Sequence, residues 1–451
     1  MSNVIKIKRG LNINLKGKAE KIFAKASHSE TYAVKPTDFH GLVPKLNVTT
    51  GQEVKAGTPL FHDKYRPEIV FVSPVSGMVK TINRGERRRI LEVVVEKTGL
   101  EIDYEPFDRG NPLEMSREVV VANILKSGLW PTIRQRPYDI IANPADEPKS
   151  IVVSAFDTAP LAPDYDLIVK ESGREFQTGI DALSMLTTGK IHLNIHAEYP
   201  ASQVFTNALN VQVNKFTGPH PSGNVGVQIH HIDPINKGDV VWFLSPQDVI
   251  TIGRLFINGV YDASWIIALC GSEVLKPRYL KLLKGHCISN LLQNNLTENC
   301  HRFISGNVLT GTRIAQNGYL GYYDSQVTVI PEGYHYELLG WAMPGLNKYS
   351  AGRTFFSWLA PRREYTLDTN FNGGHRSLVM TGQYEKVLPM DIYPMQLIKA
   401  IIIEDIDLME KLGIYEVSPE DFALCEFICT SKTEIQSIVR KGLDLMIKEM
   451  N

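Results

Sequence analysis

Val48, Val54 and Leu60 recur at six-residue intervals, with Gly51 and Gly57 set between them. An amphipathic helix repeats its apolar positions every three or four residues. A six-residue repeat broken by glycine instead predicts short strands joined by tight turns, where only glycine takes a positive φ without strain. Ser73-Pro74-Val75-Ser76-Gly77 reads as a further turn, and Val75 and Met78-Val79 as a further strand.

This pattern resembles the biotinyl and lipoyl carrier domains of multi-component enzymes. A carrier presents its modified lysine at the tip of a tight hairpin, and Asp63-Lys64 lies near that place. Lys64 is nevertheless two residues too far from the Pro-Val-Ser-Gly turn. Arg66-Pro67 is expected to break the pairing, because proline has no N–H to give a strand ladder. Lys64 is therefore expected to be an ordinary exposed loop lysine. A free-standing carrier or transferase modified at Lys64 is the rival, and a mass increment on the intact chain would favour it.

A chain of 451 residues exceeds what one core serves, so two to four domains are expected. Its net charge of -1 gives no global field for nucleic acid, and the composition does not suggest disorder. Five cysteines, widely spaced and late, suit a reducing compartment. The N-terminal Met1 to Arg9 alternates as a strand does and has no signal-peptide core. No apolar run nears the ~20 residues that span a bilayer; Trp265 to Leu269 and Ile398 to Ile403 are far too short. The expectation is a soluble chain whose membrane role comes through partners.

Residues 1–105 read as all β, ending in the apolar strand Ile90 to Val95. Arg84, Arg87, Arg88 and Arg89 crowd its hairpin, as a solvated tip or a dock for an acidic surface. Residues 106–255 open on a polar, proline-bearing linker and then alternate. Glu118 to Leu129 and Gly179 to Leu186 have helical spacing. Ile140-Ile141, Ile151 to Val153, Leu167 to Val169, Ile191 to Ile195 and Val225 to Ile229 are expected strands of an α/β sheet. Residues 256–340 predict a small α+β module with one helix around Cys287 to Gln293 and sheet at Arg302 to Gly306 and Gln326 to Ile330. Residues 341–451 begin with Gly- and Asn-rich loops around Pro344 to Gly352 and Asp368 to Gly374 and end in helices. Met395, Ile398, Ile402, Ile406, Met409 and Leu412 draw one apolar stripe. Ser418-Pro419-Glu420-Asp421 and Ser431-Lys432-Thr433-Glu434 carry helix-start signals.

Several segments together resemble the A-subunit family of the Na+-translocating NADH:quinone reductases (Na+-NQR), bacterial respiratory pumps of six subunits. They are Ser127 to Trp130 with Arg134 to Pro137, Phe216 to Gly223, Gly238 to Trp242, Arg302 to Gly311, Gly318 to Asp324 and Pro389 to Pro394. The resemblance spans nearly the whole chain. It implies a multidomain α+β and α/β protein: a barrel-sandwich hybrid, a Rossmann-like domain, a β-grasp module of the soluble-ligand-binding (SLBB) type and a helical C-terminal domain. The chain is also similar to the flavin- and NADH-binding subunit of complex I and to the C subunit of Rnf complexes. The implied function is a cytoplasmic, peripheral scaffold or docking subunit on the inner face of the membrane. Its partners are the other subunits, membrane-embedded ones included, and not nucleic acid.

In those relatives a glycine-rich loop cradles the flavin phosphate on backbone amides. Gly128 to Arg134 corresponds to it here, but only Gly128 remains, Trp130 is bulky and Pro131 has no amide to donate. Arg134 and Arg136 are the residues left to hold an anion, or else to pair with acidic neighbours. No flavin or NADH is expected at this position, and the complex is expected to carry NADH, flavins and iron–sulfur on other subunits. A soluble flavin oxidoreductase is the remaining rival. Cys425 and Cys429, one helical turn apart, suit a core better than a cluster, which needs four thiolates. His192 and His196 share a strand face, with His230-His231 ending a later strand, but a zinc site would want a further ligand. The aromatic Tyr319, Tyr322, Tyr323, Tyr334, Tyr336, Trp341, Phe355-Phe356 and Trp358 suit either a module core or a surface that meets membrane subunits or a quinone ring. No residue is assigned as catalytic or as a metal ligand, and quinone is the one ligand left open.

Overall fold

The computed structural model describes residues 4–334, 337–340, 343, 345, 347–352 and 354–450, the last without its side chain. Met1 to Asn3, Tyr336, Trp341 and Pro344, which figured in the expectations above, lie outside the described residues.

The six-residue repeat builds a sandwich of two small antiparallel sheets. One holds Thr31–Val34, Ile90–Lys97, Gly77–Arg84 and Glu53–Val54; the other holds Pro44–Leu46, Pro59–Asp63 and Val70–Val72. Val48, Val54 and Leu60 are all buried between them, and Phe61 stacks on Phe71 at 4.7 Å. Gly51 and Gly57 take φ of 86° and 98°, as the repeat requires. Arg66-Pro67 does not abolish the local pairing. Pro59–Asp63 and Val70–Val72 pair antiparallel around a loop that begins at the exposed Lys64. Proline is accommodated because it sits in that loop and not in a ladder. Arg66 binds Asp63 at 3.1 Å and donates to the Ile141 carbonyl at 3.3 Å, tying the loop to the next domain.

The central sheet runs Val4–Lys6, Gln212–Thr217, Lys190–His196, Ser150–Ser154, Val241–Leu244, Arg134–Arg136, Ile140–Ile141. The first five strands are parallel, Arg134–Arg136 runs against them, and Ile140–Ile141 turns back antiparallel to Arg134–Arg136. Strands buried on both faces read as continuous apolar runs, and alternate residues serve opposite faces. Ile151, Val153, Trp242 and Leu244 meet the helices Gly173–Ser184 and Pro246–Asn258. Val152, Val241 and Phe243 face the other way, toward Leu397, Ile398, Phe422, Val439 and Leu443 of the C-terminal helices. The helical tail is thus the second outer layer of the α/β sheet.

Several expected elements change type. Leu167 to Val169 is not a strand but part of the helix Tyr165–Ile168, capped by Asp164, and Val225 to Ile229 lies in the helix Val225–Ile232. Short apolar runs do not distinguish a buried strand from a buried helix. The strands that complete the sheet are Gln212–Thr217, whose polar residues hid it, and Val241–Leu244. The helix expected near Cys287 shrinks to Ser289–Leu292. The late apolar stripe breaks into Pro394–Ile402 and Ile406–Lys411, where Asp405 accepts from the Leu408 N–H and starts a new helix.

The third module is a sheet ordered Thr312–Ile314, His301–Ser305, Gln326–Pro331, Ser264–Cys270, Arg278–Leu283, Glu20–Lys25. Its last strand comes from the first hundred residues and pairs parallel to Arg278–Leu283. The N-terminal segment therefore lends one strand to the central sheet and another to this one.

Candidate functional site

In an open parallel sheet the ligand crevice lies beyond the carboxyl ends of the strands, where the strand order reverses. Here the chain runs from Ser150–Ser154 outward to Lys190–His196 and Gln212–Thr217, then returns to place Val241–Leu244 on the other side. A cavity of about 130 Å3 opens at that switch point, its lining including Ser154, Asp157, Leu244 and Ser245 at the strand ends. Arg134, Tyr165, His220, Asn224 and Glu420 converge on it from neighbouring elements.

Two of the three helix starts that border this crevice are already occupied by the chain's own acids, while the third, Val225–Ile232, begins at Asn224 with no side-chain cap. Pro246–Asn258 begins with a proline, and Ser245 and Asp248 form a reciprocal capping box over its first turn. Asp248 also pairs with buried Lys284 at 3.1 Å. Tyr165–Ile168 is capped by the Asp164 side chain. The turn between strand and helix, Ala155 to Asp164, has no glycine and holds Pro160 and Pro163. Asp157 lies inside it, its Oδ1 accepting from the Ala159 N–H at 2.8 Å. A flavin phosphate needs free amides and no competing carboxylate. At the two capped starts and in the turn between them the residues present do not fit one.

Of Gly128, Trp130, Arg134 and Arg136, only Arg134 lines the cavity. Its guanidinium lies 4.5 Å from the Phe243 ring and 4.5 Å from the Tyr323 ring, with Asp139 at 3.6 Å. Arg136 does not line the cavity. It is fully buried, with Nη1 at 3.2 Å from Asp421 and Nη2 at 3.2 Å from Glu420. Gly226 makes room for that pair, since a Cβ there would stand 2.5 Å from an Asp421 oxygen. Asp421 also accepts from the Ser418 N–H at 2.9 Å, and Arg440 reaches Asp139 at 3.7 Å. Three arginines and three carboxylates thus join the sheet to the helical tail. Burial pushes the carboxyls of Glu420 and Asp421 up, against the pull of Arg136.

Gly128 and Trp130 form a joint between domains. Gly128 has φ 71°, and a Cβ there would meet Val72 of the barrel-sandwich at 2.4 Å. Trp130 is fully buried, edge-on to Trp242 at 5.5 Å, and donates from Nε1 to the Ala142 carbonyl at 2.8 Å.

Burial drives His220 down to about 4, and its Nδ1 lies 3.1 Å from Thr158 Oγ1. A histidine held neutral by the fold contributes stability that is complete above its unfolded value of ~6.5 and lost as pH falls toward 4. The shift corresponds to about 3 kcal/mol over that window. Glu420 and Asp157 act oppositely: burial raises them, so they cost stability as pH rises. We expect His220→Gln to remove the acid-side loss selectively. The difference in urea midpoint between wild type and variant should change between pH 7 and pH 4.5; a constant difference would show that His220 does not titrate with folding.

The other candidates are placed plainly. Cys425 and Cys429 are both buried in the helical core, Cys429 taking a hydrogen bond from Tyr384 Oη at 2.9 Å. His192 lies 3.2 Å from Asn214 Nδ2, and His196 stacks on Tyr199 at 4.6 Å. His230 and His231 are on a helix, not a strand end; His230 binds Glu416 at 2.6 Å and His231 the Val227 carbonyl at 2.8 Å. Among the described residues no group of three His, Cys, Asp or Glu side chains is arranged to hold a metal ion. Tyr322 and Tyr323 pack at the barrel-sandwich, each against Phe39, whereas Tyr334, Phe356 and Trp358 are exposed. Of the cavity residues, sequence reasoning missed Asp157, Tyr165, His220, Asn224 and Glu420. Phe216 to Gly223 carried a family signal without a role, and Ser418 to Asp421 read only as a helix start.

Three family models match the chain in order: the NqrA N-terminal barrel-sandwich hybrid domain over residues 5–98, the NqrA second alpha/beta domain over 115–261 and the NQRA C-terminal domain over 266–316. The A subunit of the Na(+)-translocating NADH-quinone reductase of Neisseria meningitidis serogroup B is 40% identical over 451 residues, covering 99% of this chain and 100% of the relative. The chain belongs to this NqrA family. The Photorhabdus laumondii member is 38% identical over 448 residues, again 99% of this chain and 100% of the relative. A chain of the NAD+-reducing [NiFe]-hydrogenase shares 11% identity at a TM-score of 0.39, over 77% of this chain and 67% of that one, too weak a likeness to bear on the site. In this family member no helix among the described residues is long and apolar enough to cross a membrane.

Proposed function

We propose that this chain is the A subunit of a Na+-translocating NADH:quinone reductase, the complex that passes electrons from NADH to quinone and exports Na+. The full-length match to relatives of that name carries the reading. In this proposal it is a peripheral member of an assembly of six subunits, held on the cytoplasmic face of the membrane. Its scaffold is shared with the flavin-binding subunit of complex I and the C subunit of Rnf.

The chain itself holds neither flavin nor NADH in this reading. The switch-point cavity of about 130 Å3 is close in size to the ~150 Å3 engineered cavity that holds one benzene. Three fused rings and a phosphate exceed it, and two of the three bordering helix starts are already capped by side chains. A single quinone ring is the reactant of the whole complex whose size matches, with Arg134, Tyr165 and Asn224 in the lining to meet its oxygens.

Two measurements test the reading. Membranes of a strain lacking this chain should lose NADH-driven Na+ transport and regain it on re-expression; unaffected transport overturns the assignment. The purified chain should show no flavin absorbance and take up no added flavin mononucleotide, and a stoichiometric flavin would overturn the cofactor-free role.

A further inference from the structure

The segment 337–363 follows the third module in sequence, and its described residues hold little regular structure. Its parts are tied together: Lys348 binds Glu337, Arg363 donates to Asn347 Oδ1 at 2.6 Å, and Ser350 N–H donates to Ser357 Oγ at 3.2 Å. Tyr349 and Phe355 are half-buried, yet several other large apolar side chains face outward. Leu338 is 92% exposed, Leu359 63%, and Phe356 and Trp358 49% each. Leu339 and Met343 are exposed as well. Scattered exposed leucines are ordinary, but apolar residues gathered on one small unit mark an interaction surface.

The neighbouring charges are basic. Phe355-Phe356-Ser357-Trp358-Leu359 is followed, after Ala360, by Pro361-Arg362-Arg363, and Arg362 is exposed. Lys348 lies 5.7 Å from the Phe355 ring. Among the described residues of the unit, Glu337, bound to Lys348, and Glu364 just beyond it are the nearby acids. Tryptophan, phenylalanine and leucine set beside arginine is the composition that settles at a bilayer interface, rings at the headgroup level and cations on anionic lipid. A protein interface would bury the same rings, but it calls for a partner surface with matching carboxylates. Anionic lipid supplies that charge by itself and lies within reach of any subunit of a Na+ pump.

We propose that the turn Phe356–Leu359, with Arg362 and Lys348 beside it, seats this chain on the surface of an anionic bilayer without crossing it. This rests on the functional reading above only for the presence of a membrane. The physical claim concerns the chain alone, so the two can fail separately.

The test uses the full purified chain and sedimentation with vesicles of phosphatidylglycerol and phosphatidylethanolamine, against vesicles of phosphatidylcholine. Binding to the anionic vesicles should weaken at least tenfold in Trp358→Ala/Leu359→Ser and in Arg362→Glu, and should fall with added salt. Quenching of tryptophan fluorescence by brominated acyl chains should be lost in the Trp358→Ala/Leu359→Ser variant. Circular dichroism checks that both variants remain folded. Absence of binding, equal binding to phosphatidylcholine, or undiminished binding by the variants overturns the proposal. So does a result in which the variants bind vesicles normally but fail to assemble with the purified membrane subunits, which would make the patch a protein interface.

Discussion

Arg136→Met should destabilise the protein by about 3–5 kcal/mol, the usual cost of removing one partner of a buried ion pair. Methionine replaces most of the aliphatic stem, so the loss isolates the charge. Asp421 has no exposed side-chain surface, and without Arg136 its carboxylate stays buried against Gly226. The carboxylate then escapes its penalty mainly by taking a proton. A carboxyl whose folded pKa is raised loses stability as pH climbs through that raised value. The cost of Arg136→Met should therefore be larger at pH 8 than at pH 5. Adding Asp421→Asn should return a large part of it, though not all, because Glu420 also faces Arg136. Urea unfolding of the wild type, Arg136→Met and the double variant at both pH values measures this. A loss under about 1 kcal/mol would mean that water reaches the pair and screens it as at an exposed site.

Trp130→Ala should cost a similar amount, about 3–5 kcal/mol, from lost burial plus the cavity left behind. The indole packs edge-on against Trp242, and its N–H answers the Ala142 carbonyl. Trp130→Phe keeps much of the packing but leaves that carbonyl without its donor, so a smaller loss of about 1–3 kcal/mol is expected. Thermal unfolding of both variants orders them. If Trp130→Ala were neutral, the loop would be an open, solvated cradle and the case against a flavin there would weaken. A gain of flavin binding in that variant would remove the case altogether.

How much of this was legible in the sequence depended on whether the signal was local. Gly51 and Gly57 fix turn geometry by themselves, and Val48, Val54 and Leu60 lie buried as their spacing requires. Ser418-Pro419-Glu420-Asp421 announced a helix start, and its capping box is present. The same carboxylates also meet Arg136, 284 and 285 residues earlier, and no local pattern encodes that encounter. Val225 to Ile229 reads equally well as strand or helix, and its context made it a helix. Gln212–Thr217 reads as polar, yet it is paired on both sides, with Val4–Lys6 and Lys190–His196.

The candidate site shows the same division. Gly128, Trp130, Arg134 and Arg136 stand within nine positions, and the sequence marked Trp130 as too bulky for a phosphate loop and left both arginines to hold an anion or pair with acids. It could not separate them. Only Arg134 reaches the cavity, while Arg136 turns to the tail and Gly128 and Trp130 to the joint with the barrel-sandwich.

Residue order alone determined the turns, the caps and the family, because each depends on side chains a few positions apart or on covalent identity. The fold decided which strands share a sheet, that the C-terminal helices roof the α/β layer, and that six distant segments close on one small cavity. Those outcomes depend on burying both faces of a sheet at once, and which distant segment covers a given face is settled only when the layers pack.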